Sequence, residues 1–399
     1  MTNNAEWIAR SNKVFIETYS RFSAAMVRGE GCRLWDADGN EYLDFLAGIA
    51  VCSLGHCHPA VTRAVCSQAG KLMHVSNLFH TKPQVELAEL LTANTFADRV
   101  FMANSGAEAN EAAIKLARIH SGPERYEVIS LTGSFHGRTL ATVAATGQPK
   151  FHEGFEPLPQ GFLHAEFGDL AGLEELISEH TCAVLCEPLQ GESGVRPLEK
   201  GYLQAIRKIC DANDLLLVFD EVQTGIGRTG TLFAYEQLGV TPDIMTAAKA
   251  LGNGLPIGAM LTTENIAASL TVGTHASTFG GNPVAAAAAV AVLKTMLADG
   301  FFEEVRDKSA YFTRKLQEVA ERFPALATGV RGKGMLLGLV LTEKGVGHGA
   351  DIVQQLFKDG VLINFAGGSV LRFIPPLVVS RKEIDSLIDR LSKVLETLT

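Results

Sequence analysis

One lysine stands in a stretch that is otherwise small, apolar or glycine. Residues 246–256 read TAAKALGNGLP, and Lys249 is the only charged residue among them. Burial lowers the pKa of an amine because a low-dielectric site disfavours the charged form. A neutral amine is a nucleophile that forms Schiff bases with carbonyl compounds. Lys249 is therefore a candidate for covalent chemistry, although one such lysine is weak evidence alone.

Two carboxylates follow an apolar run that is typical of a strand. LLLVFDEV at residues 215–222 contains Asp220 and Glu221 directly after five apolar residues. A carboxylate in that position needs a partner, because a charge is costly to bury alone. A helix cap or a structural ion pair would satisfy it. The functional alternative is a carboxylate that holds a buried cation or a protonated heterocycle.

Three loops offer groups that bind anions. Ser105 begins the helical pattern of residues 104–122, and free backbone N–H groups at a helix start attract phosphate. GSFHGRT at 133–139 places Arg138 where it could clamp a carboxylate with two hydrogen bonds. HASTFGGNP at 275–283 has two hydroxyls before a glycine pair and a helix start. A plain helix start, a surface loop and a helix cap are the simpler interpretations of these segments.

Two short motifs point to other classes of protein. GIGRTG at 225–230 matches the dinucleotide pattern G-x-G-x-x-G, but Asp220 and Glu221 would lie near the pyrophosphate and repel it. GHCHP at 55–59, with Cys52 nearby, raises the possibility of a metal, but its spacing fits no standard zinc pattern. An NAD-dependent dehydrogenase and a non-catalytic metal-binding protein stay as alternatives that depend on these motifs alone.

The candidate groups together are those that hold pyridoxal 5′-phosphate. That cofactor needs an amine, a phosphate cradle, a stacking aromatic ring and a buried carboxylate. The carboxylate keeps the pyridine nitrogen protonated, so that the ring accepts electrons. The set is stronger evidence than any single member, and the sequence predicts a pyridoxal-phosphate site with no metal.

The elements that must position these groups form an α/β pattern. From about residue 60 to 280, apolar strand-like runs alternate with helical stretches. The runs are RVFMA at 99–103, YEVISL at 126–131, CAVLCEP at 182–188, LLLVFDEV at 215–222, DIMTAA at 243–248 and PIGAMLT at 256–262. Continuous apolar runs separated by helices indicate a mainly parallel sheet covered on both faces. In such a sheet, chemistry gathers at the carboxyl ends of the strands.

We predict two domains. Residues 56–293 form the large cofactor-binding domain, and residues 1–55 and 294–399 form a smaller α+β domain built from both termini. The last residues, SRKEIDSLIDRLSKVLETL, read as a helix with a capping box of Ser380 and Glu383.

Charge and composition argue against some partners and locations. The net charge of −9 argues against nucleic acid or an anionic membrane as the main partner. The longest apolar run, residues 284–293, is far shorter than the roughly 18 residues of a membrane span and reads as a buried helix. The first residues lack the apolar region of a signal peptide, and the seven scattered cysteines fit reduced thiols. The prediction is a cytoplasmic enzyme of small molecules.

Along nearly its whole length, the sequence resembles a known family, the class III, fold type I pyridoxal-phosphate aminotransferases. Within that family it is most similar to the N-acetylornithine and succinylornithine aminotransferases. The segments that carry the resemblance are GIAVCSLGHCHP, FMANSGAEANEAAIKLAR, FHGRT, EPLQGESGV, LLLVFDEVQTGIGRTG, TPDIMTAAKALGNGLPIGAML, STFGGNP and LRFIPPL. The resemblance implies an α/β fold with a large domain, whose mainly parallel sheet of seven strands is covered by helices, and a smaller α+β domain. The segment GIGRTG lies inside the family pattern, which removes the dinucleotide interpretation.

The resemblance implies how the cofactor is held. Lys249 binds it covalently and carries the substrate proton, and Asp220 binds the pyridine nitrogen. Phe135 stacks on the ring, and Gln223 approaches the phenolic oxygen. The residues assigned to the phosphate are Ser105, Gly106 and Ala107, with Thr278 from the other subunit of a homodimer with shared active sites.

The resemblance also implies how the substrates are held. Arg138, helped by Ser277, takes the α-carboxylate of the acylated ornithine, and Arg372 takes the α-carboxylate of glutamate. Glu192 neutralises Arg372 while the ω-amine substrate is bound and releases it for glutamate. The implied reaction transfers the δ-amine of N-acetylornithine to 2-oxoglutarate, a step of arginine metabolism, and gives N-acetylglutamate 5-semialdehyde and glutamate.

Several relatives would share the cofactor residues. The alternatives are aminotransferases of succinylornithine, ornithine, 4-aminobutyrate or succinyldiaminopimelate. An aminomutase of glutamate semialdehyde would share the fold but isomerise its substrate instead of exchanging an amine. Ser193, Asn253 and Leu255 depart from the expected family pattern. None has an implied catalytic role, but they leave the acyl preference, and a biosynthetic or catabolic role, open.

Overall fold

The computed structural model describes residues 3–398. The strands are β1 (Met26–Glu30), β2 (Arg33–Asp36), β3 (Glu41–Asp44), β4 (Arg99–Ala103), β5 (Glu127–Leu131), β6 (Phe162–Ala165), β7 (Thr181–Cys186), β8 (Leu189–Gln190), β9 (Arg196–Pro197), β10 (Leu216–Asp220), β11 (Ile244–Ala247), β12 (Gly258–Thr262), β13 (Ala327–Lys333), β14 (Leu336–Leu341), β15 (Val361–Leu362), β16 (Asn364–Ala366) and β17 (Val370–Phe373). The helices are α1 (Asn4–Asn12), α2 (Ala47–Ala50), α3 (Pro59–Ala69), α4 (Lys82–Ala93), α5 (Gly106–Ser121), α6 (Leu140–Ala145), α7 (Leu170–Glu175), α8 (Lys200–Ala212), α9 (Glu264–Ala267), α10 (Pro283–Met296), α11 (Phe301–Arg322), α12 (Glu343–Gly347), α13 (Gly349–Lys358) and α14 (Arg381–Glu396). Single 3₁₀ turns occupy Pro149–Phe151, Ala234–Gln237 and Lys249–Leu251.

The largest sheet has seven strands in the order β4-β12-β11-β10-β7-β5-β6. Strand β12 runs antiparallel to both of its neighbours, while β11, β10, β7, β5 and β6 are mutually parallel. The central strands are buried along their whole length, which explains their continuous apolar sequence. The predicted α/β fold with a mainly parallel seven-stranded sheet is confirmed. Strand β6, short and half-buried, is not among the predicted runs.

Two smaller sheets involve the ends of the chain. The order β1-β2-β3-β15 joins an N-terminal meander to a strand near the C-terminus, with hydrogen bonds from Leu43 N to Gly360 O (2.8 Å) and from Phe45 N to Leu362 O (2.9 Å). The order β13-β14-β17-β16 packs against α11 and α13. Segments far apart in sequence thus form one sheet, as a domain built from both termini requires. The predicted boundaries at residues 55 and 293 stay predictions.

The helices follow their sequence signals. The apolar run at 284–293 lies in α10, whose side chains are mostly buried against α3 and α4. Ser380 and Glu383 form the predicted capping box of α14. No single helix within residues 3–398 is long and apolar enough to cross a membrane, and α10 with α11 meets that test only as a pair bent by 75°.

Candidate active site

The predicted chemical groups meet at a cavity of about 440 Å³ at the carboxyl edge of the large sheet. Its lining includes Ser105, Gly106, Ala107, Phe135, Arg138, Glu192, Asp220, Gln223 and Lys249. A larger cavity of about 850 Å³ lies among residues 7–27 and contains none of these groups. Chemistry rather than volume therefore identifies the candidate site.

Lys249 follows strand β11 and opens a 3₁₀ turn with φ +45°, a left-handed conformation that is unfavourable for a lysine. The side chain is half-buried and lines the cavity. None of the hydrogen bonds among residues 3–398 involves its amine. Burial lowers the pKa of Lys249, and the charges of Glu192 and Asp220 only partly oppose that effect. The site therefore shifts the amine toward its neutral, nucleophilic form.

Asp220 ends strand β10 and is held by three donors. Its Oδ2 accepts a hydrogen bond from Asn110 Nδ2 (2.7 Å) and lies 2.8 Å from His136 Nδ1, and its Oδ1 accepts from Val222 N (3.0 Å). The carboxylate and the imidazole are both buried. Asn110 is fixed in turn by Thr246 Oγ1, which donates to Asn110 Oδ1 at 2.7 Å. Asp220 is thus a buried carboxylate with a fixed orientation beside the cavity.

The start of helix α5 forms another wall. Ser105 is its N-cap and accepts a hydrogen bond from Glu108 N at 3.2 Å. The Glu108 carboxylate accepts hydrogen bonds from Asn104 N and Nδ2 and none from Ser105 N, so Ser105 and Glu108 form only one half of a capping box. A Cβ on Gly106 would lie 2.6 Å from Val222 Cγ1, so glycine lets the helix start approach this close. The first N–H groups of a helix form an anion site, because they have no partner within the helix.

A buried ion pair links the C-terminal sheet to the cavity. Arg372 in β17 is fully buried and donates through one terminal nitrogen to Glu192 Oε1 (2.7 Å) and Gly191 O (2.9 Å). Its Nε donates to Asn364 Oδ1 at 3.1 Å, and Gln223 Nε2 donates to Glu192 Oε1 at 3.0 Å. Burial alone would raise the pKa of Glu192, but the charge and the hydrogen bond of Arg372 hold it at about 2. In this conformation the carboxylate neutralises the arginine.

Arg138 differs from Arg372 because its side chain is exposed. Its guanidinium lies 4.0 Å from the centre of the Phe151 ring and 5.5 Å from that of Phe135. The two rings meet edge to face at 5.7 Å. Within residues 3–398, Arg138 has no ion pair with a carboxylate, so it is a cation open to an incoming anion at the edge of the cavity.

Ser277 and Thr278 lie outside the cavity that Lys249 lines. Ser277 Oγ accepts hydrogen bonds from Asn104 Nδ2 (3.1 Å) and Gly280 N (3.0 Å), and Thr278 is exposed. Both line a neighbouring cavity of about 720 Å³. One protomer therefore does not bring these two residues to its own lysine.

Asn110 and Glu187 are buried polar groups at the site for which the sequence predicted no role. Asn110 lies on the buried side of α5 and orients Asp220. Glu187 is buried, accepts a hydrogen bond from Phe135 N at 3.1 Å, and has a pKa raised well above its usual value by burial and by the charge of Asp220. The signal for Glu187 was available, because it follows the apolar strand β7 as Asp220 closes β10.

The segment GIGRTG, one of the two alternative motifs, has a structural explanation. Arg228 in GIGRTG is fully buried and donates to Met335 O (3.1 Å), Pro375 O (2.5 Å) and Ser53 Oγ (2.9 Å), so this loop is packed against other segments and not open to a dinucleotide. No three His, Cys, Asp or Glu residues within 3–398 are placed to hold a metal ion. Asn253, one of the departures from the family pattern, bonds the backbone of Leu54 and Gly55.

The groups around the cavity fit pyridoxal 5′-phosphate. One space of about 440 Å³ is lined by an amine that has no hydrogen-bond partner among the described residues, a buried and oriented carboxylate, a helix start and an aromatic ring. Each matches one chemical need of that cofactor, namely its aldehyde, its pyridine nitrogen, its phosphate and its ring face. Fold and site together define a pyridoxal-phosphate enzyme.

Comparison with known proteins identifies the family. The model of the family Aminotransferase class-III matches residues 15–395, and the chain belongs to this family. The acetylornithine aminotransferase of Pseudomonas putida is 49% identical over 392 residues, which are 97% of this chain and 96% of that protein. The succinylornithine transaminase/acetylornithine aminotransferase of Pseudomonas aeruginosa is 46% identical over 97% of this chain and 96% of its own length. The crystal structure of the ornithine aminotransferase of Toxoplasma gondii covers 100% of this chain and 96% of its own, with 32% identity and a TM-score of 0.94. The cofactor of the family is pyridoxal 5′-phosphate, as predicted.

Proposed function

We propose that this enzyme transfers the δ-amine of N-acetylornithine to 2-oxoglutarate, giving N-acetylglutamate 5-semialdehyde and glutamate in arginine metabolism. The main support for the proposal is that two arginines at one cavity differ in whether a carboxylate pairs with them. Arg372 is neutralised by Glu192 at 2.7 Å, while Arg138 is exposed and has no carboxylate partner among the described residues. An ω-amine donor carries one α-carboxylate, at its far end, and Arg138 is free to bind it. The names of the relatives at 46–49% identity support the same substrate.

Lys249 is the proposed covalent anchor and proton carrier. Its amine has no hydrogen bond to any residue within 3–398 and has a lowered pKa, so it can take a proton from the substrate carbon and return it nearby. Pyridoxal 5′-phosphate, when bound, supplies the electron sink that makes this proton removable. The buried carboxylate of Asp220 would hold the positive charge of the pyridine nitrogen, and Asn110 and His136 keep it aimed.

The positions of the other predicted cofactor residues at the cavity support their proposed roles. The start of α5 offers backbone N–H groups to the phosphate through Ser105, Gly106 and Ala107. Phe135 is half-buried at the cavity and presents a ring for stacking. Gln223 is held by Glu192 and lines the same space, which supports its assignment to the phenolic oxygen.

Glu192 is the proposed switch between the two substrates. While the acylated ornithine is bound, Glu192 stays paired with Arg372 and neutralises the guanidinium charge, which has no carboxylate of this donor to bind. Glutamate brings its own α-carboxylate, which can replace Glu192 on Arg372. The exchange keeps the buried guanidinium paired in both half-reactions, and an unpaired buried charge would cost several kcal/mol.

Replacement of Arg138 by alanine should impair the acylated donor selectively. We expect kcat/KM for N-acetylornithine to fall by roughly 10- to 100-fold, less than the loss for a fully buried charge pair, because this arginine is exposed. The loss for glutamate should be at least about tenfold smaller, since its α-carboxylate is assigned to Arg372. Single-turnover reaction of the cofactor-loaded enzyme with each donor measures both values.

A neighbouring cation provides the control for this experiment. Lys150 Nζ also lies over the Phe151 ring, at 4.8 Å, but Lys150 does not line the cavity. Lys150→Ala should leave both half-reactions within about twofold of the wild type, as is usual for surface substitutions. Equal losses for both donors in Arg138→Ala would show that Arg138 does not bind the α-carboxylate of the acylated substrate.

Succinylornithine is a second candidate donor. The relative from Pseudomonas aeruginosa carries both activities in its name. Acetyl and succinyl donors share the amine and the α-carboxylate and differ only in the acyl group. A panel of acetylornithine, succinylornithine, free ornithine and 4-aminobutyrate, compared by single-turnover rates, would rank the alternatives. A free ornithine rate above both acylated donors would contradict the proposal.

We further infer a cytoplasmic homodimer with shared active sites. Several large apolar side chains around Thr278 are exposed, among them Leu78 (86%), Phe79 (61%) and Phe279 (58%). Exposed apolar groups that cluster indicate an interaction surface, and two-fold dimers are the commonest assembly. Thr278 lies within this surface and outside its own protomer's cavity, which supports a role at the partner's phosphate site.

Subunit mixing tests the shared site. Lys249→Ala and Thr278→Asp should each be inactive alone, the latter because its carboxylate would repel the cofactor phosphate. If each site combines Lys249 of one subunit with Thr278 of the other, a mixed dimer contains one intact site. An equimolar mixture after subunit exchange should then regain roughly a quarter of wild-type activity. No regain, with mixed dimers demonstrated by native mass spectrometry, would show that the two residues serve the same protomer.

A further inference from the structure

Glu187 is a buried carboxyl group at the active-site cavity to which the proposed function gives no role. It follows strand β7 directly and is only 6% exposed. Its side chain lines the same cavity as Lys249, Asp220 and Phe135. A carboxyl group in such a place must either pair with a cation or keep its proton, because an unpaired buried charge is costly.

The contacts of Glu187 do not stabilise a negative charge. Its Oε2 accepts one hydrogen bond, from Phe135 N at 3.1 Å. Among the described residues, its Oε1 has no hydrogen-bond partner, and no basic side chain forms an ion pair with the carboxyl group. Asp220, by contrast, has three donors, and Glu192 has the guanidinium of Arg372. Those two groups are equipped for the charged form, whereas the surroundings of Glu187 fit a neutral acid.

The charged groups around Glu187 lead to the same conclusion. Burial raises the pKa of Glu187 well above its usual value, and the negative charge of Asp220 adds to this effect. Glu192 acts in the same direction, while the N–H of Phe135 and the charge of Lys249 act in the opposite direction. Geometry and charge therefore agree on the protonated form.

The hydrogen bond from Phe135 connects Glu187 to the loop that carries two of the proposed binding groups. Phe135 lies between Ser134 and His136, which are both buried, and Glu187 is the partner of its backbone N–H. The Phe135 ring lines the cavity, and the guanidinium of Arg138 lies 5.5 Å from the centre of that ring. Loss of the acceptor would leave the Phe135 N–H without its partner and loosen the loop.

We propose that Glu187 is a positioning residue which, as a neutral acid, holds the Phe135 backbone so that the Phe135 ring and Arg138 keep their places at the cavity. This inference rests on the proposed function, in which Phe135 stacks on the cofactor and Arg138 binds the acylated substrate. A neutral acid suits the position, because a second anion beside Asp220 would repel the cofactor phosphate and the carboxylates of the substrates.

Two substitutions distinguish a neutral acid from a carboxylate. In Glu187→Gln, the amide oxygen can accept from Phe135 N and the NH₂ group replaces the acid O–H, so single-turnover kcat/KM for N-acetylornithine and for glutamate should stay within about threefold of the wild type. Glu187→Met fills a similar volume without an oxygen, and both values should fall roughly tenfold or more. The circular dichroism of the bound cofactor, which reports the surroundings of its ring, should change in Glu187→Met and not in Glu187→Gln.

Infrared spectroscopy tests the charge state without turnover. At pH 7 the cofactor-loaded wild type should show a carboxylic-acid C=O band that Glu187→Gln lacks. Glu221, whose pKa burial raises to about 7, is present in both proteins and cancels in the difference. Glu166→Gln is the matched control, because Glu166 follows strand β6 as Glu187 follows β7 but is exposed. That variant should keep both the band and wild-type kinetics within about twofold.

Three results would overturn the proposal: no difference in the acid band, equal losses in Glu187→Gln and Glu187→Met, or wild-type kinetics and circular dichroism in folded Glu187→Met. If Glu187→Met does not fold, the infrared band and the activity of Glu187→Gln decide. A wrong substrate assignment would look different. N-acetylornithine would then be a poor donor for the wild type and for Glu187→Gln alike, while the infrared and circular dichroism results would be unaffected.

Discussion

Replacement of Lys249 by alanine should abolish transamination while the folded enzyme still binds its cofactor noncovalently. In the proposed mechanism, the variant loses both the covalent anchor and the group that carries the substrate proton. Acid–base catalysis by a positioned side chain contributes about 10²–10⁴-fold, and loss of the covalent anchor adds to this, so we expect kcat to fall by roughly 10⁴-fold or more. The remaining wall of the cavity, from Asp220 to the start of α5, is unchanged and should retain the phosphate and the ring.

Borohydride reduction locates the attached lysine directly. Reduction of the cofactor-loaded wild type fixes the cofactor to the amine, and trypsin does not cut after a modified lysine. The label should therefore appear on a peptide that runs from Thr229 through Lys249 to Lys294. Lys294 is exposed on α10, and Lys294→Ala should react with borohydride as the wild type does. Label on any other lysine would refute the assignment.

The central groups could be predicted because their signals are local. Lys249 and Asp220 each follow an apolar run, and neighbouring parallel strands end at the same edge of a sheet. If those runs are neighbouring parallel strands, the amine of Lys249 and the carboxylate of Asp220 must lie close together. The same rule would have found Glu187, which follows β7.

Pairs that depend on long-range packing could not be predicted from spacing. Arg372 and Glu192 are 180 residues apart, and no pattern in either segment points to the other. Their connection came from the family resemblance. The exposure of Arg138 and the complete burial of Arg228 likewise depend on how distant segments pack, although both arginines lie in glycine-rich loops that look alike in the sequence.

Substitution of Asp220 by asparagine should produce the second-largest loss, a fall in kcat of roughly 10³-fold. Removal of one member of a buried, hydrogen-bonded charge pair costs about 2–5 kcal/mol, or roughly 30- to 5000-fold. The upper part of that range applies because the amide fits neither way. If its oxygen takes the place of Oδ2, its NH₂ faces the Val222 N–H; if it is turned round, its NH₂ faces the Asn110 and His136 donors.

In its proposed role, the Asp220 carboxylate acts through the cofactor ring, so its loss should have a signature that misfolding does not share. Asp220→Asn should stay folded at the assay temperature, with a melting temperature lowered by the unsatisfied buried amide. It should also show a changed cofactor absorption spectrum and equal losses with both amine donors, since both depend on the protonated pyridine nitrogen. Asp214→Asn is the matched control. Asp214 lies between helix α8 and strand β10, six residues before Asp220, and its side chain is 97% exposed. That variant should be within about twofold of the wild type. An Asp220→Asn enzyme within tenfold of wild-type kcat would show that Asp220 does not hold the ring charge.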